Sequence, residues 1–116
     1  MKYKELCYYC DVYKTQFVLF VGDLASCDKE IASYCINPDD YELGETNSNG
    51  FIVTCETKGI IAWVNSPRPE LIAHECFHMV EACFQNIKVH SLPNSHNEAF
   101  AYLLECLVHV FTSKGK

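Results

Sequence analysis

The hydrophobic and polar positions of the chain divide it into a strand-rich first part and a helical last third. Residues 15–24 are rich in Val, Phe and Leu and predict one strand. Residues 51–56 and 59–64 are two further strand-like runs, close enough to form a hairpin with a tight turn. Between the first strand and this hairpin, a short helix is expected over residues 26–36, with Ser26 as its N-cap.

Two segments nearer the C-terminus have helical periodicity. A proline-containing break at residues 66–69 precedes a predicted helix over about residues 70–85, because proline and acidic side chains suit a helix start. A second helix is predicted over about residues 95–112, after a connection that contains Pro93. Together these elements predict an α+β fold, in which a small antiparallel or mixed sheet packs against two main helices.

Composition narrows the class of protein. A chain of 116 residues, 49% hydrophobic and 21% charged, predicts a single globular domain over residues 1–116. The net charge of −6, with 9 scattered basic residues, disfavours a nucleic-acid partner. The best apolar run, residues 17–21, is too short to cross a bilayer, and the N-terminal residues lack a signal-peptide pattern. We therefore expect a cytoplasmic protein with no membrane partner.

The chain contains eight cysteines, an unusually high content. Without a signal peptide, the favoured interpretation is that they are reduced thiols that act as small buried hydrophobic side chains. Cys7 and Cys10 nevertheless form a CxxC pair, which Cys27 and Cys35 would complete as a structural zinc site. Such a cysteine-based zinc module remains an alternative.

The predicted helix over residues 70–85 carries the strongest chemical signal. Residues 74–78 read HECFH, which is an HExxH motif. Residues four apart lie on one face of a helix, so His74 and His78 can bind one zinc ion while Glu75 projects beside them. His74 and His78 belong to a polar stripe of the helix that also contains Glu81 and Gln85. The alternative interpretation is that this stripe is only the solvent-facing side of an amphipathic helix.

A catalytic zinc needs a third protein ligand, and Glu98 on the second helix is the predicted one. The 19 residues between His78 and Glu98 allow a reversing loop and an antiparallel helix. Glu98 has a competing explanation, since Ser95 three residues earlier would form a capping box with it. Glu105 is the alternative acidic ligand, about 10 Å further along the helix axis. The second helix also carries a polar stripe, formed by Glu98, Tyr102, Glu105, His109 and Thr112.

The HExxH motif and residues 97–99, Asn-Glu-Ala at the head of a helix, resemble the gluzincin metallopeptidases of the thermolysin type. They also look like small metallopeptidase-like proteins of phages and prophages. The resemblance covers about residues 60–112 and implies a zincin-like fold, with strand 59–65 as the sheet edge that pairs with an extended peptide. It further implies a peptide or protein substrate and one catalytic zinc ion.

Two features of the sequence depart from the thermolysin pattern. Tyr102 stands where that type has an acid that orients a zinc-binding histidine, so Tyr102 would orient it through a phenol. Only 18 residues follow Glu98, so the subdomain that supplies the family's oxyanion-stabilising histidine is missing. The candidates for that role are His96, His90 and Tyr102.

These residues predict a zinc metallopeptidase in which Glu75 is the general base for water attack on a peptide bond. Hydrolysis of a non-peptide amide would use the same residues. The main alternative is a non-catalytic zinc-binding scaffold that acts as a protein-binding module. The sequence gives no information on the oligomeric state.

Overall fold

The computed structural model describes residues 2–34, 50–55, 59–86 and 93–115, and the side chains of 51–55, 86, 93–97 and 115 lie outside this description. The described chain begins with two pairs of strands separated by one helix, and it ends in two further helices. In chain order the elements are β1 (Tyr3–Cys10), β2 (Thr15–Gly22), α1 (Leu24–Ser33), β3 (Gly50–Cys55), β4 (Gly59–Val64), α2 (Pro69–Asn86) and α3 (Pro93–Gly115).

The four described strands form one mixed sheet in the order β1-β2-β4-β3. The hairpins β1–β2 and β3–β4 are antiparallel, whereas β2 and β4 pair in parallel. The predicted α+β class is confirmed, and the two strands of the predicted hairpin pair in antiparallel fashion as β3 and β4, whereas its turn at residues 56–58 lies outside the described residues. The prediction that strand 59–65 is the edge is wrong, because β4 pairs on both sides. In the described part of the chain the edge strands are β1 and β3.

The sheet is covered on both faces, which makes three layers. Side chains alternate between the faces of a strand, so Val18 and Phe20 of β2 pack towards α1. Phe17, Leu19 and Val21 belong to the larger core under α2 and α3. Burial on both faces explains why β2 and β4 are nearly continuous apolar runs rather than alternating ones.

The short helix α1 begins earlier than predicted. Its N-cap is Asp23, whose carboxylate accepts a hydrogen bond from the Ser26 backbone N–H at 3.1 Å. The Ser26 hydroxyl donates to the same carboxylate at 2.7 Å. The prediction of Ser26 as N-cap is therefore wrong: an ionised acceptor directly after β2 satisfies the free N–H groups of the first turn.

Helices α2 and α3 lie on the same face of the sheet and meet through aromatic rings. The ring centroid of Phe100 on α3 lies 5.3 Å from that of Phe77 and 5.7 Å from that of Phe84, and both ring pairs have edge-to-face geometry. Helix α2 contacts β4 and β3, while α3 contacts β1. Within the described ranges, no helix has both the length and the apolar character needed to cross a membrane.

Candidate metal centre

The candidate metal centre lies on the outer side of α2, where the two histidines of the HExxH motif stand one turn apart. His74 Nε2 and His78 Nε2 are 3.2 Å from each other, with the ring centroids 4.8 Å apart in edge-to-face geometry. His74 is exposed and His78 is half-buried. The predicted convergence of the two imidazoles is thus present in the structure.

The distance between the two nitrogens fits a shared zinc ion. Two ligands of one tetrahedral zinc, each about 2.0–2.1 Å from the metal, lie about 3.3–3.4 Å apart. The observed 3.2 Å is close to that separation. It equally suits a hydrogen bond in which one ring N–H donates to the other ring's lone pair. The hydrogen bond needs the two Nε2 atoms to face each other, whereas a shared zinc ion needs both lone pairs to point at one site beside them.

A third residue of the same stripe determines how the His78 ring is held. His78 Nδ1 lies 2.9 Å from Glu81 Oε1. Because a carboxylate accepts, Nδ1–H is the donor, and the tautomer with its proton on Nδ1 has its lone pair on Nε2. This is the contact that typically orients a metal-binding histidine. Glu81 belonged to the predicted polar stripe, but this role was not recognised, although its i, i+3 spacing from His78 is visible in the sequence.

Glu75 differs from its two neighbours, because it points inwards and is only 6% exposed. Desolvation by burial raises the pKa of its carboxyl above the ordinary value, an effect opposed by the nearby imidazoles of His74 and His78. The helix therefore carries two imidazole nitrogens on its surface and one carboxyl at the protein interior beside them.

Gly50, the first residue of β3, makes room for that carboxyl. A Cβ at Gly50 would lie 2.8 Å from Glu75 Oε2 and 2.7 Å from the carbonyl oxygen of Trp63. Both separations are shorter than van der Waals contact, so a larger side chain would displace the carboxylate or the hairpin. Sequence reasoning missed Gly50, since it read as the end of a turn-forming segment. Nothing local to Gly50 reveals a contact with α2.

The capping explanation of Glu98 does not hold. Helix α3 begins at Pro93, so Ser95 is already inside the helix and is not its N-cap. Proline suits this first helical position because it has no N–H to satisfy. Glu98 is exposed, and its carboxylate is free of the proposed capping role.

The remaining predicted site residues on α3 are only partly described. Tyr102 is 69% exposed, and Glu105 and His109 are exposed on the same side as Glu98. The His96 side chain and all of His90 lie outside the described residues. Among the residues that are described, no three or more His, Cys, Asp or Glu side chains form a group suited to a metal ion. Glu98 as the third ligand stays a prediction.

The alternative cysteine site is not assembled as the CxxC spacing proposed. Cys10 is buried in the core under α2 and α3, whereas Cys7 packs on the α1 side of the sheet. Residues i and i+3 of a strand point to opposite faces, so these two thiols do not meet at one ion. Cys27 lies on the α1 side, where burial raises the pKa of its thiol to about 11. Cys35 is outside the described residues.

Comparisons with known proteins give no match: no family model, no curated protein and no solved structure corresponds to the chain. The likeness to gluzincins therefore rests on the residues around Glu75 and Glu98 alone.

Proposed function

We propose that the chain is a zinc-dependent metallopeptidase of gluzincin type, with a zincin-like arrangement of its sheet and helices. The observation that carries the proposal is the pair of Nε2 atoms 3.2 Å apart on α2, with Glu81 on the far side of one ring. A hydrogen-bonded histidine pair alone would not require a buried carboxyl beside it. Glu75, which lies beside Gly50, supplies that carboxyl.

The residues proposed to hold zinc are His74, His78 and Glu98. This donor set, two imidazoles and one carboxylate, is that of catalytic zinc sites that leave one position open. When bound, zinc would lower the pKa of water towards neutrality and polarise the scissile carbonyl. Exposure of His74 and Glu98 leaves this side of the helices accessible to a peptide or protein substrate.

Glu75 is the proposed general base. A base works best when its pKa lies near the working pH, and burial shifts the pKa of Glu75 in that direction. Its carboxylate would take a proton from the attacking water and then pass it to the leaving amine. Glycine at position 50 leaves the space that the carboxylate occupies, since a Cβ there would lie 2.8 Å from Glu75 Oε2.

Tyr102 and His96 are the proposed oxyanion-stabilising residues. Both lie on α3, six residues apart, on either side of Glu98. The 69% exposure of Tyr102 leaves its hydroxyl free to approach a substrate carbonyl rather than fill the core. A phenol O–H can donate a hydrogen bond to a developing negative charge.

The decisive experiment compares Glu75→Gln with His74→Ala. Zinc content is measured after purification without chelator, and hydrolysis is followed by mass spectrometry of a mixed peptide library. We expect Glu75→Gln to retain one zinc ion and lose hydrolysis, because the amide cannot accept a proton. His74→Ala should lose the metal and the activity together.

The matched control is Glu30→Gln, an exposed acid-to-amide change on α1 that should leave both properties intact. A wild-type protein without stoichiometric zinc, even after incubation with excess zinc, would contradict the whole proposal. Equal hydrolysis by the wild type and Glu75→Gln would contradict the role of Glu75.

The second candidate function is a non-catalytic zinc-binding scaffold that acts as a protein-binding module. The burial of Glu75 favours it, since a base that is 6% exposed has little surface for contact with water. The same experiment separates the two functions. Stoichiometric zinc in a wild-type protein that hydrolyses nothing in the peptide library would identify the scaffold.

A further inference from the structure

An open cleft of about 750 Å³ lies at the opposite end of the sheet from β3, along the edge of β1. It is bordered by β1, by the start of α1 and by the end of α3, and none of its residues belongs to the candidate metal centre. The residues that line it include Lys2, Tyr3, Lys4, Glu5, Ser26 and Lys114.

The backbone of β1 presents hydrogen-bonding groups to this cleft. The Asp23 N–H donates to the Lys2 carbonyl at 2.9 Å, so the backbone of Lys2 faces β2. In an antiparallel pair this orientation alternates, which turns the backbone groups of Tyr3, Glu5 and Cys7 away from β2. The Lys114 ammonium confirms the alternation, since it donates to the Cys7 carbonyl at 3.0 Å.

Beyond β1, the described part of the chain has no further strand. The outward N–H and C=O groups of Tyr3 and Glu5 therefore form the kind of edge to which an extended peptide can add. The Lys114 ammonium occupies the Cys7 carbonyl, so the part of the edge that a peptide can pair with is the stretch of β1 before Cys7. That stretch is also the one that lines the cleft.

Positive charge is concentrated on one wall of the cleft. Side-chain alternation puts Lys2 and Lys4 on the same face as Leu6, which belongs to the core under α2 and α3. Lys114 reaches the edge from α3, on that same face. Three of the 9 basic residues of a chain with net charge −6 thus gather here. Among the described residues that line the cleft the one acid is Glu5, which lies on the opposite face and accepts a hydrogen bond from the Tyr34 hydroxyl at 3.2 Å.

We propose that the β1 edge binds an extended peptide that carries acidic side chains at every second position, added to the sheet as a further strand. Alternation places one set of the peptide's side chains against the lysine wall, which is formed by Lys2, Lys4 and Lys114, and the other set beside Tyr3 and Ser26. A second copy of this chain does not fit, because pairing two β1 edges would bring lysine walls together. The proposal does not depend on zinc or on hydrolysis.

The test uses the full chain and two fluorescent decapeptides of the same composition. One alternates Glu and Thr, and the other has its Glu residues in one block. Fluorescence anisotropy should show tighter binding of the alternating peptide. The double variant Lys2→Glu/Lys4→Glu should raise its Kd roughly tenfold or more, since two attractive contacts become repulsive.

The matched control is Lys29→Glu, which changes the charge of an exposed α1 residue outside the cleft and should leave the Kd unchanged. Hydrogen exchange adds a backbone measurement: the Tyr3 and Glu5 amides should exchange more slowly with the alternating peptide bound. Circular dichroism verifies that each variant is folded, and Lys2→Gln/Lys4→Gln provides a milder replacement. Equal affinity for both peptides, an equal effect of Lys29→Glu, or unprotected amides would each overturn the proposal.

Discussion

Helices α2 and α3 lie side by side on one face of the sheet, but their polar residues are organised very differently. On α2 the polar groups contact each other: the two histidine nitrogens are 3.2 Å apart, and Glu81 lies 2.9 Å from His78. On α3 four residues of the corresponding stripe are exposed to solvent: Glu98, Tyr102, Glu105 and His109.

The difference follows from how each set of contacts is encoded. An i, i+3 or i, i+4 contact needs only a helix, so α2 assembles its histidine pair and the Glu81 contact without help from other elements. A contact from α3 to α2 depends on the packing of Phe100 against Phe77 and Phe84. The proposed ligands on α2 therefore depend only on local contacts, whereas the proposed ligand on α3 depends on tertiary packing.

The largest effect is expected when the proposed zinc ligand on α3 is removed. Glu98→Ala should abolish stoichiometric zinc binding, because two imidazoles alone hold zinc weakly, while Glu105→Ala should retain it. Both glutamates are exposed on the same side of α3, so the two changes match in chemistry and in expected cost to folding. Calorimetric titration with zinc measures both variants. If Glu105→Ala loses the metal instead, the ligand lies two turns further along the helix.

The second prediction concerns the buried carboxyl of α2. Gly50→Ala should reduce kcat/KM about a hundredfold, the typical cost of misplacing a catalytic group by about 1 Å. The reason is steric, since the new Cβ would meet Glu75 Oε2 at 2.8 Å. Zinc content should not change, as His74 and His78 face the other way. In a Glu75→Gln background the same substitution should add almost nothing; a further hundredfold loss there would show that Gly50 acts on something other than Glu75.

Local patterns in the sequence predicted most of the secondary structure. Helix α2 and the β3–β4 hairpin were placed within about a residue or two, because periodicity and turn residues are visible without tertiary information. Strand β1 was missed, since an edge strand with Lys4 and Glu5 exposed does not alternate cleanly between apolar and polar residues. Strand 59–65 was wrongly predicted to be the edge for another reason. The parallel pairing of β2 with β4 joins segments that are distant in sequence, so no local pattern indicates it.

The same limit applies to the candidate metal centre. The convergence of His74 and His78 was predictable from their spacing alone. The contact between Gly50 and Glu75 was not, because it depends on β3 beginning beside α2 in the folded chain. Whether Glu98 reaches the histidines is likewise a question of tertiary packing, and the sequence supplied only a plausible connection length.

A third, smaller effect is expected at the residue that orients His78. Glu81→Gln should weaken zinc binding about tenfold, the lower end of the cost of losing a group that orients a metal-binding histidine. The amide can accept the Nδ1–H bond but without the negative charge that makes the imidazole a stronger ligand. Competition with a colorimetric zinc chelator gives the affinity, with Glu30→Gln as the control. An unchanged affinity would show that the 2.9 Å contact does not influence the metal.

The smallest effect is expected at the aromatic junction between the two helices. Phe100→Leu should lower the free energy of unfolding by about 1 kcal/mol, the value of edge-to-face ring contacts beyond the area they bury. Urea denaturation with chelator present measures it, with Tyr102→Phe as an exposed control expected to change stability by less than about 0.5 kcal/mol. If Glu98 binds zinc, part of the metal's binding energy must hold α3 against α2. Phe100→Leu should then also weaken zinc binding slightly, whereas an unchanged zinc affinity would indicate that the metal centre belongs to α2 alone.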